Sequence, residues 1–114
     1  MSADYGSHIA NDHVWVAEED GRVLGFAVLV EQDDHLQLDV LAVAPDAQGR
    51  GIGNLLLQLT DDEARRLGHA EVRLFTNAAM TENIAYYPRH GYVETHRGEQ
   101  DGRHRVFFAK TLQP

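Results

Sequence analysis

Three glycines at alternate positions, Gly49, Gly51 and Gly53, separate a mostly apolar run, Leu36–Val43, from a stretch of helical periodicity. No other segment restricts the fold so tightly. Glycine permits backbone shapes and close approaches that a Cβ would block. A helix starting just after such a loop offers unpaired N–H groups and the positive end of its dipole. The stretch Gln48-Gly49-Arg50-Gly51-Ile52-Gly53 is therefore suited to cradle a phosphate or pyrophosphate, with Arg50 able to add a charged hydrogen bond. A loop that merely turns a corner is the alternative, and spaced glycines alone leave both open. A P-loop is excluded, because Asn54 stands where that motif needs lysine. A dinucleotide fold would need further parallel βαβ units, for which the chain has no room.

The other segments arrange themselves around this loop. Val14-Trp15-Val16-Ala17 and residues 22–30 flank Glu18-Glu19-Asp20-Gly21, which predicts a hairpin about an Asp-Gly turn. Before it, Asp4, Tyr5, Ile9 and Ala10 suggest one or two helical turns. Leu36–Val43 reads as a strand buried on both faces and ended by Pro45. Over residues 51–67, Ile52, Leu55, Leu56, Leu59 and Leu67 form one helical stripe, with Ala64 near its edge. Asn54, Gln58, Asp61, Asp62, Arg65 and Arg66 fall mainly on the other side, where Asp61 with Arg65 and Asp62 with Arg66 have i,i+4 spacing. Gly68 stops the helix. Residues 71–76 alternate as a strand, a second helix covers residues 81–86, and Pro88 ends or kinks it. Residues 92–96 and 105–112 then form two strands joined by a polar stretch with Asp101-Gly102 at its turn. Trp15 and Phe26 are expected in the core. The order is hairpin, strand, helix, strand, helix, hairpin: a single mixed α/β domain over residues 1–114, with a right-handed parallel βαβ crossover from Val43 to Val72.

Composition excludes several classes of function. Lys and Arg number 10 against 18 Asp and Glu, a net charge of −8 without a basic stripe, so no nucleic-acid partner is expected. The longest apolar runs fall far short of the roughly 20 residues of a membrane span, and residues 1–6 lack a signal-peptide pattern. The expectation is a soluble cytoplasmic protein with no membrane partner. Absence of cysteine removes disulfides and thiolate sites. His8, His13, His35, His69, His90, His96 and His104 show no tight His-x-x-x-His pair, so no metal is expected.

Gln48-Gly49-Arg50-Gly51-Ile52-Gly53 resembles the Gln/Arg-x-x-Gly-x-Gly/Ala signature of the GNAT superfamily of N-acetyltransferases. Leu41-Ala42-Val43-Ala44-Pro45 resembles that family's strand leading into the loop. The stretch from Asn83 to Tyr92 is similar to its second helix, with Tyr87 four residues before the Gly91-Tyr92 pair. The resemblance covers about residues 12–112 and implies a central mixed, mostly antiparallel sheet with a splayed slot and helices on both faces. Its implied co-substrate is acetyl-coenzyme A. Main-chain groups of Leu41, Ala42 and Val43 would bind the pantetheine and acetyl carbonyl. Gln48, Gly49, Arg50, Gly51, Ile52, Gly53 and Asn54 would hold the pyrophosphate. Asn77, Asn83 and Tyr87 would lie along the far wall.

The implied reaction is direct attack of a primary amine on the thioester. The departing thiolate needs a proton, and a phenol with an ordinary pKa of about 10 holds one at neutral pH. Tyr87 is the candidate general acid, with a core tyrosine as its alternative; Tyr86 reads as packing. The amine must lose a proton, and Asp39, on the strand beside the implied acetyl site, is the candidate base. Glu19, Glu31, Asp33, Asp34 or a water chain are alternatives, and each carboxylate also reads as solvated surface.

The family's pattern is not matched everywhere. Met80 stands where its second helix often begins with asparagine, a contact Asn83 could replace. Only residues 1–12 precede the first β-rich run, so the usual first strand and first helix are expected to be absent and the acceptor wall reduced. An edge strand left open is a pairing liability, which suggests a homodimer covering it. The readings are an acetyltransferase acting on an amine of a small molecule or peptide, a domain binding acyl-coenzyme A with little or no turnover, and a structural domain with a vestigial loop.

Overall fold

The computed structural model describes residues 4–5 and 12–113. Seven strands form one sheet in the order β1-β2-β3-β4-β5-β7-β6: β1 (Asp4–Tyr5), β2 (Asp12–Glu19), β3 (Arg22–Glu31), β4 (Leu36–Val43), β5 (Glu71–Asn77), β6 (Val93–Gln100) and β7 (Arg103–Thr111). Helix α1 (Ile52–Arg66) joins β4 to β5, and helix α2 (Thr81–Tyr86) follows β5. Every neighbouring pair is antiparallel except β4–β5.

Local chemistry explains most elements. The hairpins β2–β3 and β6–β7 turn at Asp20-Gly21 and Asp101-Gly102, all four with positive φ. That is the twist-compatible turn which Asp-Gly favours. Strands β6 and β7 continue through the expected polar linker up to the turn, since alternating polar residues suit an exposed face as well as a loop. Asp4–Tyr5 is a strand and not a helical turn, pairing with Ala17 and Glu18 along the rim of β2. Ile9 and Ala10 lie outside the described residues.

The β4–β5 pairing is short. Leu36 pairs with Val72 and Gln37 with Arg73, and no further pairs follow. A bulge in the β3–β4 ladder, where Leu29 opposes Leu38 and Val28 opposes Val40, leaves Asp39 as the extra residue. The bulge returns Leu41 to the α1 side opposite Ala27 and sends Val40 to the other side. This overturns the expectation of a strand buried on both faces: Val40 is 40% exposed.

Both described helices lie on one face. Lys110 of β7 holds Asp61 of α1 at 2.6 Å, and Phe108, on the same side of β7, packs against Tyr87 just after α2. The expected helices on both faces are therefore not seen among the described residues. On the opposite face, Phe26 is 36% exposed, not core, because Gly25, Ala27 and Leu29 take the α1-facing positions of β3. Trp15, across from Ala27, packs half-buried against the core.

The buried side of α1 is also broader than its apolar stripe. Leu57, Thr60, Asp61 and Glu63 are buried, while Leu55 and Leu59 are only half-buried. Asp61 is drawn inward by Lys110. Arg65 and Arg66 pair with Asp62 and Glu63 at i,i+3, in place of the expected i,i+4 pairs.

At Gly25, side chains of α1 press directly against the sheet backbone. A Cβ there would lie 2.7 Å from the Ala42 carbonyl oxygen and 3.0 Å from Ile52 Cγ2. Gly25→Ala should destabilise the domain by about 1–3 kcal/mol, read as a lower urea midpoint, because backbone cannot yield as a side-chain tip can.

Candidate active site

The site begins where β4 stops. The Ala44 N–H donates to Leu24 O at 2.8 Å, and one 3-10 turn, Pro45–Ala47, buries Ala47 beneath the loop. Gly49 and Gly51 have φ of 84° and 83°, the left-handed region that glycine enters without strain. No side chain caps α1 and no acidic residue occupies its first turn. Its first N–H groups are thus available to an anion, aided by the helix dipole. The chemistry of this end fits a pyrophosphate: main-chain donors, positive field and no competing carboxylate.

Helix α2 closes the other side. The Tyr86 hydroxyl donates to Asn54 Oδ1 at 2.9 Å, joining the end of α2 to the start of α1. A Cβ on Gly53 would lie 2.9 Å from that hydroxyl, so the contact needs glycine there. Between these elements is a cavity of about 550 Å³. Of the sequence-predicted residues, Leu41, Val43, Gln48, Gly49, Gly51, Ile52, Gly53, Asn54, Asn83 and Tyr87 line it.

The remaining candidates lie elsewhere. Ala42 pairs opposite Phe26 on the far face. The Arg50 guanidinium donates to the two Glu19 carboxylate oxygens at 3.2 and 3.0 Å, turned toward the β2–β3 hairpin and away from the cavity wall. Asn77 Oδ1 accepts from the Ala79 N–H at 2.8 Å, shaping the turn into α2. Asp39 is exposed on the bulge, 3.4 Å from Gln37 Nε2. Asn83 donates to Thr76 Oγ1 at 3.2 Å, which holds α2 against β5. Among the described residues, no three His, Asp or Glu side chains converge as a metal site would require.

Tyr87 is the most distinctive group on the wall. It is 7% exposed, edge-on to Tyr92 and against Phe108. Burial, with a smaller contribution from Tyr86, pushes its phenol up to about 12. Burial raises Tyr86 too, partly offset by Arg89. His90, its ring 4.5 Å from that of Tyr86, is lowered by burial and then by Arg89 and Lys110. The wall therefore holds its phenolic protons throughout the neutral range.

Sequence reasoning missed four lining residues: Ala47, Glu82, Tyr86 and Arg89. Asn83, Tyr86 and Arg89 recur every third position, one face of a helical turn, and that spacing could have found them.

The sequence matches the family described as the acetyltransferase (GNAT) domain over residues 10–94. It is 33% identical over 92 residues to a mycothiol acetyltransferase of Jonesia denitrificans, covering 75% of this chain and 29% of that protein. It is 44% identical over 86 residues to the peptidyl-lysine N-acetyltransferase YiaC of Escherichia coli, covering 75% of this chain and 53% of that one. The chain thus spans less than two-thirds of the length of these relatives. A crystal structure of a GNAT family acetyltransferase from Elizabethkingia anophelis with acetyl-CoA bound superposes with a TM-score of 0.79 at 18% identity, covering 92% of this chain and 79% of that one.

The raised Tyr87 phenol has a consequence for stability. Unfolded, it titrates near its ordinary value of about 10. Between pH 10 and about 12 the folded chain keeps a proton that the unfolded chain has lost, so stability falls as pH rises. For this one group the loss is about 1.4 kcal/mol per pH unit. Urea unfolding across that window should show the decline, and Tyr87→Phe should make it shallower.

Proposed function

The chain belongs to the GNAT acetyltransferases, and from that premise we propose that it transfers an acetyl group from acetyl-coenzyme A to a primary amine of a small molecule or peptide. The observation that carries this reading is the buried, protonated Tyr87 on the wall of a cavity reaching from the end of β4 to the start of α1. Acetyl-coenzyme A brings the acyl group as a thioester. The first-turn N–H groups of α1, with Gln48, Gly49, Gly51 and Gly53 around them, hold its pyrophosphate. Leu41 and Val43, on the strand edge that β5 leaves unpaired, line the pantetheine arm. The amine nitrogen forms the new bond to the acyl carbon as the carbon–sulfur bond breaks. Tyr87 donates its proton to the departing sulfur, and Asp39 or solvent beside it takes the proton leaving the amine.

A phenol held near 12 is a weak acid in water, but the leaving thiolate starts without a proton and Tyr87 itself is buried beside it. Burial that raises the phenol also ensures that it is loaded at neutral pH. The two named relatives, a mycothiol acetyltransferase and a peptidyl-lysine N-acetyltransferase, carry different acceptors in their names, so neither fixes the acceptor for this chain.

A cytoplasmic location suits a cysteine-free chain that uses coenzyme A. A homodimer is supported by the rim of β2, where among the described residues β1 pairs with Ala17 and Glu18 alone. Sedimentation at rising concentration should reveal a two-chain species; a single-chain species throughout counts against it.

Acetyl-coenzyme A at about 100 times its Kd should stabilise the fold by roughly 2.7 kcal/mol, a rise of several degrees in Tm. Tyr87→Phe should keep that rise and lower kcat by about a hundredfold or more. Unchanged turnover would remove Tyr87 from the acid role. A coenzyme-induced rise without turnover on any amine would favour the acyl-coenzyme-binding reading instead.

A further inference from the structure

On the face of the sheet opposite α1, four side chains stack in a row across three strands. Arg105 of β7 lays its guanidinium over the Phe75 ring of β5, 4.3 Å from the centroid. Phe75 meets Phe107 with centroids 5.7 Å apart, and His96 of β6 lies nearly flat on Phe107 at 4.3 Å and 7°. Strand alternation places Arg105 and Phe107 on this face, since Val106 and Phe108 are buried on the other.

The row stands beside the place where the sheet opens. Gln37 and Arg73 are the last paired residues of β4 and β5. Asp39 is the second residue beyond that pair on one bank, and Phe75 the second residue beyond it on the other. Arg105, over Phe75 and opposite Asn77, thus stands on the β5 bank of the opening, while Asp39 stands on the β4 bank.

Of the nine arginines of this acidic chain, Arg89, Arg103 and Arg105 form no ion pair among the described residues, and of these three Arg105 alone is half-buried, the other two being exposed. Arg22, Arg50, Arg65, Arg66, Arg73 and Arg97 each engage a carboxylate. Arg105 is half-buried, and among the described residues it has no carboxylate partner. Its cross-strand neighbour on β6 is Gly98, which has no side chain to cover it. A guanidinium stacked on a ring keeps its in-plane N–H donors free, in the fork geometry that matches a planar or tetrahedral oxyanion. Partial burial strengthens such a pairing and leaves the unpaired cation costly.

We propose that Arg105 is a specificity-determining residue and that the acceptor is an amine carrying an oxyanion, a carboxylate or a phosphonate, on the same molecule. The oxyanion pairs with Arg105, and the amine then points across the opening toward Asp39. This inference rests on the acetyltransferase reading and adds to it the class of acceptor.

The test is acetyl transfer with matched acceptors: amino acids against their amides, and aminoalkylphosphonates against their uncharged diesters. The acidic member of each pair should have the lower KM, and the pair with the larger contrast identifies which oxyanion is taken. Arg105→Gln should raise KM for the acid about 10- to 100-fold with little change in kcat, erasing the acid-over-neutral preference, and Arg105→Lys should restore part of it. Calorimetric titration of the same pairs into the coenzyme-A-saturated protein reads the contrast without turnover. Acetyl-coenzyme A affinity reports that the variants are folded, because Arg105 does not line that cavity. Equal KM values for acid and neutral acceptors in the unsubstituted protein, with the coenzyme bound and product formed, would overturn the Arg105 assignment and leave the acetyltransferase reading intact. Failure of acetyl-coenzyme A to bind at all would overturn that reading and this inference with it.

Discussion

Two register pairs, Leu36 with Val72 and Gln37 with Arg73, join the halves of this sheet, and the molecule is organised by how little they join. On one side, β4 is laddered to β3 from Leu36 to Val43. On the other, β5 is laddered to β7 from Glu71 to Asn77. Each strand is thus held firmly on its outer side and, beyond those two pairs, left without a strand partner on its inner side. Backbone donors and acceptors so exposed must find water or a ligand. The break is kept open without loss of the fold because α1 packs across it, touching β3, β4 and β5 together.

The same arrangement places chemistry at the end of β4. The chain must leave the sheet there and start α1 within a few residues, so the helix's unpaired N–H groups arrive beside the unpaired strand edge. Helix α2 is then tied in twice, through Tyr86 to Asn54 and through Asn83 to Thr76. Tyr87 follows directly and is pressed among Tyr92 and Phe108, while Lys110 and Asp61 pair next to them between α1 and β7. The protonated phenol on the cavity wall is a product of this packing. Desolvation both buries the ring and holds its proton.

The two faces of the sheet are chemically distinct. The α1 side carries the cavity and the buried core. The opposite side carries half-exposed apolar residues around Phe26 and Val40, and the stacked row ending in Arg105. Chain alternation alone produces this division: one-residue steps along β7 send Phe108 to the core and Phe107 to the row. The Asp39 bulge repeats the effect on β4, exchanging which residues face which side.

Where the chain's pattern is local and periodic, the sequence by itself determined the outcome. Asp-Gly turns placed both hairpins, the change from period two to period 3.6 placed α1, and the spaced glycines marked the start of that helix. Ten of the residues picked for the site do line one cavity, because loop and helix start are contiguous in the chain. Tertiary structure decided whatever depended on a distant partner. Arg50 turned to Glu19 across 31 positions, Asp61 was buried by Lys110 across 49, and Phe26 was left half-exposed by the face its strand presents. Arg105 gained its significance from Phe75, 30 positions away, and from a strand divergence that no local pattern encodes. A charge or an aromatic ring has the same local propensity whether it meets solvent or a partner. Its role is set by the electrostatic and packing environment that only the assembled sheet provides.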